Sequence, residues 1–203
     1  MNSTHFENLV QFGGKILGFD ETETNELIKI YNESATTYTN RSIRILSDFI
    51  FDCELSRFAI TFANVSTGST YFYEYNRRSP INPWPKWTGA MHGDDLIDIF
   101  GIPFRHPEKY DEQIRQNEKD YSEHVMWAIG NFTTYGKTTN GWKKLDENNT
   151  EALEFNGELG EGKTTKHTNV TPSTCTEFNN LFIDYIKWRM YLKTLTTTAP
   201  DSL

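Results

Sequence analysis

The sequence predicts an α/β chain in which the helices outnumber the strands they would need to cover. Three observations lead there. Apolar residues recur at helical spacing over 47–63, 109–134 and 176–192, an aromatic run at 69–75 follows a turn and suits a strand, and little else reads as sheet. Helices with one apolar face must bury it against another layer, so the inventory points to part of a larger fold. A chain of 203 residues with 36% hydrophobic and 14% aromatic content has the material for a core, and the aromatics argue against disorder. No apolar run approaches the roughly 20 residues of a membrane-crossing helix.

Residues 1–45 are polar, with short apolar patches at Leu9 and Val10, Ile16 and Leu17, and Leu27, Ile28 and Ile30, and they predict loops with one or two short helices. From Ser47 to Ala63, residues Phe49, Ile50, Cys53, Leu55, Phe58, Ala59 and Phe62 give a helix with one inward face, and Asp48 and Asp52 suit its positive first turns. The run Ser69 to Tyr75 is the strand, ending at Arg77-Arg78-Ser79. Pro80, Pro83 and Pro85 then exclude regular structure, and the neighbouring tryptophans brace an ordered loop. Asp94 to Phe100 predicts a short capped helix stopped by Gly101 and Pro103. The longest helix, 109–134, turns Ile114, Tyr121, Val125, Ala128, Ile129 and Phe132 inward. Between Gly136 and Pro172 the composition shifts to Gly, Asn, Thr and Lys, with one brief strand candidate at Ala152 to Phe155. A last helix over 176–192 carries Phe178, Leu181, Phe182, Tyr185, Ile186, Trp188 and Met190. Residues 1–193 read as one portion of a domain, and 194–203 as a flexible Thr-rich tail.

A net charge of -8 excludes nucleic acid as a partner, because phosphate contacts need clustered Lys and Arg and here they are scattered. Asn-x-Ser/Thr occurs at Asn2, Asn32, Asn40, Asn64, Asn131, Asn148 and Asn169. Random pairing of asparagine with Ser and Thr at this composition gives about three such sites, so the excess points to an extracellular glycoprotein, secreted or attached to the cell surface. Asn32, Asn40, Asn64, Asn148 and Asn169 are the expected acceptors, on exposed loops, and Asn131 the poorest, near the end of a packed helix. The opening MNSTHFENLV nonetheless lacks a basic segment followed by an apolar one, so the chain as written carries no secretory signal. Cys53 and Cys175 fit either one long-range disulfide or two buried thiols. There is no Cys-x-x-Cys, no His pair at i, i+4 and no calcium-loop pattern, so neither metal nor cofactor is expected.

The chemistry-bearing motif is Trp84-Pro85-Lys86-Trp87-Thr88-Gly89-Ala90-Met91-His92-Gly93, a histidine on a Pro- and Trp-braced loop just after a strand. Imidazole accepts and returns a proton near neutral pH, and a rigid loop at a strand end is where a general base is held. This stretch resembles the C-terminal part of the cholinesterases and type-B carboxylesterases. The resemblance also covers Phe51-Asp52-Cys53, Arg57-Phe58, Tyr73 to Ser79, Asp94-Asp95-Leu96, Phe100-Gly101-Ile102-Pro103, Asn131-Phe132 with Gly136, and Cys175, about 150 residues in register.

The resemblance implies the C-terminal portion of an α/β-hydrolase fold, its last sheet strands plus covering helices. It implies a serine ester hydrolase with His92 as catalytic histidine, Trp84 and Asp94 at the substrate pocket, and Cys53 bonded to Cys175. The substrate would be a small carboxylic ester, cationic in the manner of acetylcholine, which acidity and aromatic richness also suit. Thr88 and Asp94 depart from the vertebrate enzymes, which carry Met and Tyr there. No Gly-x-Ser-x-Gly elbow is present, and the acidic triad member normally precedes the histidine by about a hundred residues. The expectation is therefore a fragment, inactive alone, whose missing N-terminal part supplies serine and acid and whose Met1 is an internal start. A homodimer contact through the last helix, using Phe182, Ile186 and Met190, is implied as well. The alternative from another class is a cholinesterase-like adhesion protein of the neuroligin type, lacking the nucleophile.

Overall fold

Local caps start the first three helices. α1 (Ser3–Leu17) begins where the Asn2 side chain accepts the His5 amide at 3.0 Å, and it stops at Gly18, whose φ of 77° closes the last turn. α2 (Glu21–Asn32) opens on a capping box in which Asp20 and Glu23 exchange bonds of 2.9 and 2.8 Å. α3 (Tyr38–Ser47) opens where Thr37 Oγ1 accepts the Asn40 amide at 3.2 Å. The expectation of loops with one or two short helices over 1–45 is thus corrected: polar residues cap the helices, and three of them, of 15, 12 and 10 residues, fill most of the segment. The computed structural model describes residues 1–138, 141–156 and 166–183. It divides into two compact units, Met1–Arg57 with the chain from Thr171 onward, and Phe58–Val170.

In the first unit, Phe6, Val10, Phe19, Leu27, Tyr31, Ile45, Cys53, Cys175 and Phe178 form the core. α1 and α2 approach closely at Gly14, where a Cβ would lie 2.6 Å from Thr24 Oγ1. After α3 the chain winds one π turn, Asp48–Asp52, before α4 (Cys53–Val65), and the Cys53 amide bonds to the Asp48 carbonyl. This i→i+5 turn brings Asp48 and Cys53 onto one face, which an α-helix would not do, and both are fully buried. The buried Asp48 carboxylate accepts from Tyr31 Oη at 2.9 Å, Thr174 Oγ1 at 2.5 Å and the Arg44 guanidinium. Burial and the adjoining Asp48 push the Tyr31 phenol well above its ordinary range. Cys53 and Cys175 are joined by a disulfide with Cα atoms 5.1 Å apart. Helical backbone runs over 173–183; the expected continuation to 192, with Tyr185, Ile186, Trp188 and Met190, and the tail 194–203 lie outside the described residues.

The second unit is built on a three-stranded sheet in the order β1 (Tyr73–Asn76), β2 (Glu151–Asn156), β3 (Lys166–Asn169). β1 and β2 are parallel with Tyr73 opposite Leu153, and β2 and β3 antiparallel with Glu151 opposite Asn169. α5 (Asp95–Ile99), α6 (Ile102–Arg105) and α7 (Arg115–Tyr135) lie between β1 and β2 in sequence, and Gly136 at φ 63° ends α7. One cluster joins Tyr121 and Val125 of α7 to Trp142, Leu153 and Phe155, with Tyr71, Tyr73, Tyr75 and Ile129 packed against it. A second joins Ala59, Leu145, Ala152 and Val170. β2 is therefore buried from Ala152 to Phe155, more than a brief candidate, whereas β3 falls in a stretch that predicted no strand. The inward face expected over 47–63 is also corrected. Cys53 and Ala59 are buried, but Ile50, Leu55, Phe58 and Phe62 are exposed, Phe58 by 65%. Phe58 and Phe62 stack on each other at 5.7 Å.

The disulfide spans 122 residues of sequence. Replacing both cysteines by serine should lower unfolding stability by up to about 5 kcal/mol, the chain-entropy cost of opening so long a loop. Denaturant titration measures it, and a loss under about 1 kcal/mol would show that the native contacts carry the closure without the bridge.

Candidate active site

β1 ends by sending successive side chains to opposite sides, which is what extended backbone does. Tyr73, Tyr75 and Arg77 reach α5 and α7, and Arg78 reaches the loop that follows the strand. Tyr73 Oη donates to Asp95 Oδ2 at 3.0 Å and Tyr75 Oη to Asp98 Oδ2 at 2.5 Å, so two strand tyrosines hold the two carboxylates of α5. Ser122 Oγ of α7 donates to the Asp98 carbonyl at 2.8 Å. α5 follows His92 directly, so its position sets where the histidine loop must end.

Residues 79–94 form that loop. The Arg78 guanidinium donates to Asn82 O at 3.1 Å, Thr88 Oγ1 at 3.2 Å, Gly89 O at 3.3 Å and the Trp84 carbonyl. From inside the loop, buried Asp94 Oδ2 accepts Asn82 Nδ2 at 2.7 Å and the Met91 amide at 3.0 Å. Asn82 Oδ1 in turn accepts the Trp84 amide at 2.9 Å. Lys86–Thr88 makes one 3₁₀ turn, and Gly89 and Gly93 take φ of 64° and 87°, which only glycine adopts without strain. His92 stands exposed on this frame.

Beneath the loop lies a charged cluster. Arg77 bonds Glu118 of α7 at 2.5 Å, lies 3.6 Å from Asp98 Oδ2, and stacks 4.0 Å above the Tyr121 ring. Burial opposes the Arg77 charge, but Glu118 and Asp98 outweigh it and raise its pKa. One guanidinium faces two buried carboxylates. Desolvation consequently pushes Asp98 up to about 6, with Tyr75 and Arg77 pulling it down and Glu118 and Asp94 adding to the rise. Burial also lifts Tyr73 to about 12 and Tyr75 well beyond the ordinary range, so both stay protonated donors.

The residues singled out from sequence are thus placed as follows. Trp84 is exposed by 57%, Asp94 is enclosed, and Asn82 links the two, so the structure brings Trp84, Asp94 and His92 into one loop. Asn32, Asn40, Asn64, Asn148 and Asn169 are all exposed, but the expectation of loops is corrected: Asn32, Asn40 and Asn64 sit on helices and Asn169 ends β3. Asn131 lies on α7, half-buried. Among the described residues the one grouping with metal-ligand spacing, Asp48 with Cys53 and Cys175, has both sulfurs in the disulfide. Arg78, Asn82, Tyr73 and Tyr75 were not singled out from sequence, although three prolines beside an arginine signal carbonyls in need of donors.

Asp98 has a higher pKa folded than its ordinary 3.8, so the fold binds its proton more tightly than the unfolded chain does. Its contribution is most favourable below pH 4 and is lost as pH rises through about 4 to 6, a loss of about 3 kcal/mol. Asp98→Asn removes this dependence. Relative to wild type, the variant should gain stability between pH 4 and pH 7, whatever its offset at pH 4, and parallel denaturation curves at the two pH values check it.

The model of the carboxylesterase family matches residues 5–172. Among individual proteins, the chain is 28% identical over 131 residues to acetylcholinesterase 4 of Caenorhabditis briggsae, covering 55% of this chain and 21% of that one. It is 29% identical over 104 residues to cholinesterase of Mus musculus, covering 51% and 16%. To acetylcholinesterase-1 of Trittame loki it is 33% identical over 89 residues, covering 43% and 15%. The matched regions thus span between about a seventh and a fifth of these relatives. With a match running from the first helix through the sheet and past the His92 loop, the chain belongs to the carboxylesterase family, whose members have the α/β-hydrolase fold.

Proposed function

We propose that this chain supplies the histidine part of a serine carboxylic-ester hydrolase of the cholinesterase type, with His92 as general base. The observation that carries the reading is the placement of an exposed His92 on a loop fixed on both sides, in a chain of the carboxylesterase family. In that reaction His92 takes the proton from a serine as its oxygen attacks the ester carbonyl, then returns it to the departing alcohol. Backbone amides elsewhere in the protein stabilise the oxyanion. The serine and the acidic partner belong to parts of the whole protein beyond these 203 residues, so the chain alone turns over no ester.

The substrate proposed is acetylcholine or a related small ester. The exposed Trp84 face suits a quaternary ammonium, a contact worth about 0.5 to 2 kcal/mol. Asp94 contributes to the pocket by holding Asn82 and Met91, since its carboxylate is enclosed within the loop. We also assign the protein to the extracellular space, with glycans on Asn32, Asn40, Asn64, Asn148 and Asn169, each of which has an exposed side chain. For a homodimer through the last helix, Phe182 is only partly available, because it packs against the core of the first unit; Ile186 and Met190 lie outside the described residues.

In the full-length protein, His92→Ala should reduce kcat on the order of 10⁴ to 10⁶. Turnover above about a tenth of wild type rules out the general base, since that role contributes at least about 10²-fold. A full-length protein that turns over neither choline nor neutral esters supports the adhesion class instead. Mass spectrometry after enzymatic deglycosylation should find the five asparagines modified in material secreted from animal cells, and unmodified sites at three or more would overturn the extracellular assignment.

A further inference from the structure

Residues 80–94 contain three prolines, which donate no amide hydrogen, so the loop is short of backbone donors for its own carbonyls. The Asn82, Trp84 and Gly89 carbonyls and Thr88 Oγ1 converge instead on one guanidinium. From this we infer that Arg78 is a positioning residue for His92, an inference that rests on the reading of His92 as general base. Arginine alone offers a planar fork of five donors able to reach acceptors on both limbs of a loop; the lysine ammonium concentrates its three donors at one point.

The fork does not act alone. Asp94 is a second fixed point, and the two meet at Asn82, whose carbonyl accepts Arg78 while its side chain joins the Trp84 amide to Asp94. His92 lies between them in sequence. Arg78 holds the Gly89 carbonyl three residues before it, and Asp94 holds the Met91 amide immediately before it. The Asp94 amide bonds to the Met91 carbonyl at 2.9 Å and closes the turn around the histidine. A shift of the fork therefore passes to the His92 backbone through a link of two residues, Ala90 and Met91, the second of which Asp94 also holds. Proton transfer is steep in position, and a misplacement of about 1 Å costs about 10²-fold in rate. Arg78 meets no reacting atom and acts only through the loop.

The test uses the full-length protein carrying Arg78→Lys, Arg78→Ala and, in parallel, His92→Ala. Both Arg78 variants should lose about 10- to 100-fold in kcat per titrated active site, with KM within about twofold and the pH midpoint of kcat/KM unmoved. Added guanidinium should restore part of the Arg78→Ala rate, and ammonium at the same concentration should not. By hydrogen exchange, the Met91 amide, bonded to Asp94 and not to Arg78, should exchange at least about tenfold faster in Arg78→Lys. A kcat per site within twofold of wild type, with only the fraction of active protein reduced, overturns the inference. If His92→Ala stays active, the general-base reading falls by itself, and unchanged Met91 exchange then removes the positioning role too. Should Arg78→Ala fail to fold, Arg78→Lys, which keeps the charge and the aliphatic stem, decides the question.

Discussion

The largely enclosed guanidinium of Arg77 is the constraint on which the second unit depends. It leaves the end of β1, bonds Glu118 of α7, faces Asp98 of α5 and lies over the Tyr121 ring. Three elements that share no backbone hydrogen bonding are thereby fixed by one planar group. Two carboxylates against one cation leave an excess of negative charge where water is scarce, and burial, with Glu118 and Asp94 nearby, raises the pKa of Asp98. The Tyr75 phenol partly relieves it by donating a bond of 2.5 Å. The cluster is better understood as a device that fixes geometry than as a source of stability, since pairing offsets desolvation only in part.

Strand geometry explains how two adjacent arginines come to do different work. Consecutive residues of an extended chain face opposite sides. Arg77 therefore enters the interior and ties β1 to the helices, and Arg78 emerges toward the loop and ties its carbonyls together. A one-residue slip of β1 against β2, where Tyr73 now faces Leu153, would exchange the two and leave both the carboxylates and the loop without a partner. The register is held by the aromatic contacts of Tyr73 with Phe155 and Trp142, so sheet packing and the histidine loop are specified by the same residues.

What was legible in the sequence is what local chemistry decides. The short helix after His92 and the long helix ending at Gly136 are marked by their stops and their periodicity, and β1 by its aromatics. The long helix begins at Arg115 and not at 109, because Pro107–Lys109 forms a separate 3₁₀ turn before it. α2 was readable in principle from Asp20 and Glu23, but a polar surrounding made the capping box look like loop. β3 was not readable, because Lys166 to Asn169 is a strand only by pairing with β2. The π turn was hidden for a related reason: a period of 3.6 residues fits the stretch locally, and only the distant partners of Asp48, Tyr31 and Thr174, demand the extra residue. At the site, the resemblance drew attention to His92, Trp84 and Asp94, but not to the arginine and asparagine that hold them, since their work is done on backbone atoms.

The acidic composition also has to be read through burial. Asp48, Asp94, Asp98, Glu118 and Glu154 are all buried, so part of the net charge of -8 is spent on internal hydrogen bonds and never reaches a ligand at the surface as a bare field. Near the loop, Asp94 is taken up by Asn82 and Met91, and Asp95 by Tyr73. Among the exposed side chains of the loop are instead Trp84 and Trp87, with Lys86 between them and His92 beyond. Selection of a cationic ligand there would rest on short-range contact with aromatic rings more than on long-range steering. Contact of that kind depends on where the rings stand, and so on the same loop frame that holds His92.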